Sequence, residues 1–152
     1  MRKEASAYLL SNRIFVHAKK RTVRTVPIFS EPLYELSLSE DSPVTIGNKI
    51  KECIGAFSEG HDHPSREDFK KINDPTIRLA GEKTPKAFFT KVKYVPITLM
   101  GDKIIFYPSV NKGWKDGFAN TEHPNIELDY STATDEDLGK ALLRAFELSI
   151  IL

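Results

Sequence analysis

The chain has 152 residues, 40% hydrophobic and 28% charged, with a formal net charge of +1. At this size a fold can bury roughly 70% of its unfolded surface, and fifteen aromatics on a near-neutral chain exclude a disordered polymer. No run approaches the ~18 apolar residues of a membrane-crossing helix, and the single cysteine, Cys53, excludes an internal disulfide.

The N-terminus is charged, and the apolar stretch behind it breaks at Ser11-Asn12-Arg13, which is no secretory signal. The expectation is one globular domain over residues 1–152, in the cytoplasm. Two β-rich runs, Ala7–Leu10 and Arg13–Ala18, flank Ser11-Asn12 and predict a hairpin. Val23–Phe29 follows as a strand that Pro27 confines to an edge or a strand end. Leu33, Tyr34, Leu36 and Leu38 interleave with polar residues as a further extended segment. Ser42 and Pro43 then signal the start of a helix near 43–57 whose apolar stripe is Ile46, Ile50, Cys53, Ile54 and Phe57.

Residues 58–90 read as a decorated loop over one core, with a short helix near Pro64–Ile72. Val92–Met100 and Lys103–Tyr107 form a second hairpin about Gly101-Asp102. A Gly- and aromatic-bearing loop spans Val110–Phe118, and Ile126–Tyr130 alternates as another strand. The last helix, near 135–149, begins at Thr134 with three acids in its first turn and buries Leu138, Ala141, Leu142, Ala145, Phe146 and Ser149. Strand–helix alternation is too sparse for a doubly wound fold. The pattern predicts an α+β class, a mostly antiparallel β-sheet with helices packed on it.

Charge is distributed unevenly. Residues 1–30 carry seven bases and one acid, residues 114–152 three bases and eight acids. The expectation is that these ends partly neutralise each other across neighbouring strands. The basic stretch Lys19–Arg24 offers a second reading, a small nucleic-acid-binding module tracking phosphates with Tyr8 or Phe15 stacking on bases. Near-neutral charge argues against it, and a hairpin end or edge strand guarded by charge is the reading adopted.

Catalytic signatures such as G-x-S-x-G, the phosphate-binding glycine loops and H-E-x-x-H are missing, so no catalytic residue is assigned and the chain is not read as an enzyme. His61-Asp62-His63 is the one dense group of metal-ligand types, but it lacks the further ligands of a zinc motif and is read as a solvated loop. Neither a metal nor a cofactor is expected. Cys53, on a helical stripe, reads as a small buried hydrophobe. Trp114 and Phe118, set among glycines with Lys115 and Asp116, either anchor an interface or fold back over the sheet edge.

The C-terminal half carries a resemblance. A hairpin closed by Ile104-Ile105-Phe106-Tyr107-Pro108, the Gly/aromatic loop, the strand Ile126-Glu127-Leu128, and a terminal helix with Asp137-Leu138-Gly139-Lys140-Ala141 and Ala145-Phe146-Glu147-Leu148-Ser149 make up the pattern. Together they resemble the immunity proteins of bacterial contact-dependent growth inhibition systems, over roughly residues 84–150. The resemblance implies a cytoplasmic protein that binds and neutralises the C-terminal domain of its cognate toxin, commonly a nuclease. It implies a protein partner, with no nucleic acid and no membrane. Near-neutral net charge differs from the strongly acidic character that suits a basic nuclease, although the acidic C-terminal third supplies a local negative face. Interface residues vary with the toxin and do not carry over by motif. The stretch that combines acids with an aromatic anchor is therefore the candidate contact surface: Trp114, Asp116, Phe118 and Glu122, flanked by Glu127 and Asp129, with the basic segment Lys19–Arg24 as the alternative anchor for an acidic toxin surface or a phosphate-mimicking site.

Overall fold

The computed structural model describes residues 2–152. Its first half runs β1 (Arg2–Leu10), β2 (Arg13–Thr22), β3 (Pro27–Ser37), α1 (Pro43–Gly55), β4 (Ser58–His61), α2 (Arg66–Lys70) and α3 (Asp74–Ala80). The second half runs α4 (Pro85–Lys91), β5 (Lys93–Met100), β6 (Lys103–Phe106), β7 (Ser109–Asn111), β8 (Phe118–Asn120), β9 (Ile126–Asp129), α5 (Asp135–Leu148) and β10 (Ile150–Ile151). The main sheet has the order β3-β2-β1-β5-β6-β9, antiparallel throughout, with β4 added in parallel beside the end of β2. This is the expected α+β class, helices packed on a mostly antiparallel sheet.

Both predicted hairpins form. Leu10 faces Arg13 across the Ser11-Asn12 turn, and Met100 faces Lys103 across Gly101-Asp102. β3 merges the two extended segments read separately from the sequence. It starts at Pro27 and lies at the sheet edge, where a missing N–H costs no ladder bond. Residues 23–26 are the turn that delivers it.

Strand alternation gives the sheet two unlike faces. One face presents Ala5, Ala7, Ile14, Val16, Val95, Ile97, Leu99, Ile104 and Phe106 to α1 and α5 as one aliphatic core. Ser42 Oγ accepts from Thr45 N at 3.2 Å to cap α1. α5 has a capping box, with Thr134 Oγ1 accepting from Asp137 N and Asp137 Oδ2 from Thr134 N. The two helices touch through reciprocal glycines. A Cβ on Gly47 would stand 1.7 Å from the Asp135 carbonyl oxygen, and one on Gly139 1.9 Å from that of Pro43. Only a missing side chain permits such contact between backbones. Cys53 is buried here, and burial pushes its thiol pKa up to about 12, so it is the small apolar filler expected.

The opposite face is aromatic. Tyr8 and Phe15 pack against Ile77 and Ala80 of α3, Phe88 of α4 and Val92. Arg13 ties α3 to the sheet. It pairs with Glu35 at 2.9 Å while its two terminal nitrogens donate to the last carbonyls of α3, Ala80 and Leu79, each at 2.8 Å. Residues 58–90 are therefore not a loop. Three short helices form there: α2 is the short helix expected near Pro64–Ile72, while α3 and α4, anchored by Ile77, Ala80 and Phe88, are too brief for their periodicity to be read. The Val110–Phe118 segment also corrects the expectation of a plain loop, since β7 and β8 pair as a hairpin. Together with β10, which runs parallel to β7, they form a second, three-stranded sheet.

The opposed charges do not meet. Among the described residues, no ion pair joins a base of residues 2–30 to an acid of residues 114–152. The sheet order explains this, because it sets β2 and β3 near one edge and β9 at the other. Arg21 pairs instead with Glu4 at 2.9 Å, and Arg13 with Glu35.

Candidate functional site

The β7–β8 turn is built to display Trp114. Gly117 N donates to the Gly113 carbonyl and Lys112 N to that of Gly117, both at 2.8 Å. Gly113 and Gly117 have φ of 98° and 70°, a left-handed backbone that side chains resist. Asn111 anchors this turn to the protein. Its buried amide donates to the Phe89 and Val92 carbonyls, each at 2.8 Å, while its oxygen accepts from Gly113 N at 2.9 Å. Trp114 then stacks on Phe89, with ring centroids 6.2 Å apart and planes at 24°, and remains 50% exposed.

Phe118 behaves differently. It lies half-buried against Tyr94, with centroids 5.0 Å apart, and against Phe89. Of the two sequence readings, folding back describes Phe118, whereas Trp114 both folds back and presents a face to solvent. Asp116 sits exposed in the same turn, and Glu122 is exposed in the loop that follows β8. Glu127 and Asp129 lie on edge strand β9. Their neighbours Ile126 and Leu128 face the aliphatic core, so these two acids face the other way, on the same side of the sheet as the aromatic cluster. Register places Glu127 opposite Ile105 and Ile105 opposite Thr98, two strands across and four residues along from Tyr94. The six candidates thus divide into a compact turn, an exposed loop residue and a separate strand edge.

Asp129 Oδ1 accepts from Ser131 Oγ at 2.6 Å and Ser131 N at 3.0 Å, which holds its pKa below the usual carboxylate range. Glu127 lies 3.8 Å from the ammonium of Lys103.

Between the aromatic turn and the β2–β3 end runs a groove of about 260 Å³ with His17, Phe29, Phe69, Phe89, Tyr94 and Phe118 in its walls. His17 is buried, and its Nδ1 donates to the Ala18 carbonyl at 2.6 Å. That bond fixes Nε2 as the acceptor, and Nε2 has no partner among the described residues. Burial lowers the His17 pKa to about 4, so the ring is neutral. No sequence signal marked His17, since a lone histidine on a strand has no spacing to read.

Two other sequence readings change. Tyr8 and Phe15 are buried in the aromatic core, so neither can stack on a base as the nucleic-acid reading required. His61 Nε2 is hydrogen-bonded with Ser58 Oγ at 2.6 Å, and His63 Nδ1 with Thr22 Oγ1 at 3.2 Å. Among the described residues, no group of three His, Cys, Asp or Glu side chains is placed to hold a metal ion, and no helix is long and apolar enough to cross a membrane.

The whole arrangement aligns with solved structures. The fold matches a Neisseria meningitidis protein of unknown function with a TM-score of 0.72 and 17% identity, covering 98% of this chain and 96% of that one. It matches a chain of the CdiA-CT/CdiI toxin and immunity complex from Yersinia pseudotuberculosis with a TM-score of 0.79 and 16% identity, covering 98% of each. At such identities the likeness is one of fold. Among curated proteins, no sequence matches significantly. The family assignment comes from the sequence itself: the model for the CDI immunity protein family, CdiI, matches residues 33–149, and this chain belongs to that family.

Proposed function

We propose that this immunity protein works as a stoichiometric inhibitor, a single-domain cytoplasmic protein with no turnover of its own. It binds the C-terminal domain of its cognate contact-dependent toxin and neutralises it. The observation that carries this reading is the family match over residues 33–149. The fold likeness to a chain of a toxin and immunity complex supports it. A nuclease toxin is the reading that suits the acidic C-terminal third, whose exposed carboxylates would meet a basic, phosphate-handling surface.

The contact surface we assign is Trp114, Asp116, Phe118 and Glu122, with Glu127 and Asp129 at its rim. An inhibitor needs a rigid anchor more than a reactive group, because ordering a loose side chain on binding costs affinity. Trp114 meets that need: glycines, Asn111 and the Phe89 ring hold it in place before any partner arrives.

Co-purification with the toxin domain encoded beside it, and survival of cells that make both, test the reading. The expected outcome is a one-to-one complex and full protection. Failure to bind or protect sinks it.

A further inference from the structure

The β2–β3 turn and α2 enclose a cleft of about 740 Å³ at the end of the sheet far from β9. Three cations line it, Arg24 from the turn and Arg66 and Lys70 from α2, and no acid does. None of the three makes an ion pair among the described residues. Phe69 stands between the cations, 42% exposed, with the His63 ring stacked on it at 5.9 Å. His63 is itself held by Thr22 at 3.2 Å. The basic excess of residues 1–30 is not neutralised by the acidic third of the chain, so at this end it faces outward.

Phe69 also walls the groove that contains His17, which makes cleft and groove neighbours across one ring. His17 Nε2 is a buried acceptor without a donor, in a structure where buried polar atoms are nearly always paired.

We propose that this cleft receives an acidic segment of the cognate toxin, with its carboxylates on Arg24, Arg66 and Lys70 and an apolar side chain on Phe69. The proposal rests on the immunity reading and adds a second contact to it, separate from Trp114. Exposed arginine beside a half-exposed aromatic is the composition that carries binding energy in protein interfaces. Nucleic acid fits less well. The chain lacks the overall basic footprint of a nucleic-acid binder.

The test compares the wild-type chain with Arg24→Glu/Arg66→Glu and with Phe69→Ala, titrating each against the toxin domain encoded beside it. All three side chains are exposed, so melting temperatures are expected to stay near wild type. The double reversal is expected to weaken toxin affinity by at least about tenfold at low salt, through slower association, with a smaller loss at high salt. Phe69→Ala is expected to speed dissociation. Wild-type binding with both variants unchanged would overturn the cleft while leaving the immunity reading intact. A wild-type chain that does not bind the toxin at all removes both. Reversals that abolish binding of a mixed-sequence RNA oligonucleotide yet keep full toxin affinity would overturn the proposal in favour of nucleic acid.

Discussion

The two faces of the main sheet solve the same problem in different ways. Behind one face, α1 and α5 supply long apolar stripes, and the core closes on itself with Ile46, Ile50, Leu138 and Leu142 fully buried. Over the other, short helices and a small second sheet bring Phe88, Phe89 and Phe118 onto Tyr8 and Tyr94, and coverage is incomplete. Trp114 and Phe69 remain half exposed there, and His17 keeps an unused acceptor. A face completed within the chain is scaffold. A face left open, with Trp114 and Phe69 half exposed, is where we propose that the toxin docks.

The largest expected effects fall on the closed face. Leu142→Ala and Ile50→Ala each remove a fully buried aliphatic side chain and should cost about 2–5 kcal/mol in urea unfolding. Gly139→Ala should rank with them, since its Cβ would meet the Pro43 carbonyl and the helices would have to part, an overpacking cost of about 3 kcal/mol. Near-wild-type melting of these variants would show that the helix-backed face is not what holds the fold together.

His17 gives the open face an acid-side pH signature. In the folded state burial holds its pKa at about 4, whereas in the unfolded chain it returns to the ordinary value of 6.5. Below pH 6.5 the unfolded chain therefore binds a proton that the folded protein refuses. Its contribution is fully present above pH 6.5 and is lost as pH falls towards 4, by up to about 3 kcal/mol. Unfolding curves of the wild type and His17→Gln should converge in pH dependence above 6.5 and diverge below it. Parallel curves across that window would mean the ring is solvated in the folded state.

The same contrast governs what the sequence made legible. The closed face could be read residue by residue, because α1 and α5 are long enough for a 3.6-residue stripe to show and their caps, Ser42 and Thr134, are conventional. The open face could not. α3 and α4 have seven residues each, too few to establish a period, and β7 and β8 have three. That Phe89 supports Trp114 depends on a turn held by the Asn111 side chain, which has no sequence pattern. Charge misled for a related reason. Composition gave the sign at each end of the chain, while the separation of β2 from β9 follows from strand order, which pattern alone does not set.

For the candidate contact surface, Trp114→Ala should lower toxin affinity by about 2 kcal/mol or more, roughly thirtyfold, with the melting temperature little changed. The indole already has half its surface free, so its removal takes little from the fold and leaves Phe89 uncovered. Surface plasmon resonance should show the loss as faster dissociation. Unchanged affinity would remove the β7–β8 turn from the interface.

The smallest effect belongs to the β9 acids, and it separates a rim from a centre. Asp129 is bound up with its own turn through Ser131, so reversing it would disturb local structure as well as charge. Glu127 is the cleaner probe: it is exposed and meets only the Lys103 ammonium at 3.8 Å, a pair of little value in water. A carboxylate in that position acts at long range, guiding a basic partner during approach, and loses its influence once salt shortens the screening length. Glu127→Lys should therefore slow association by about two- to threefold at low salt, vanish as an effect at high salt, and leave dissociation unchanged. If it instead speeds dissociation as much as Trp114→Ala does, the centre of the interface lies on β9 and the aromatic turn is its edge. If it changes neither rate, the acidic strand does not steer the toxin's approach.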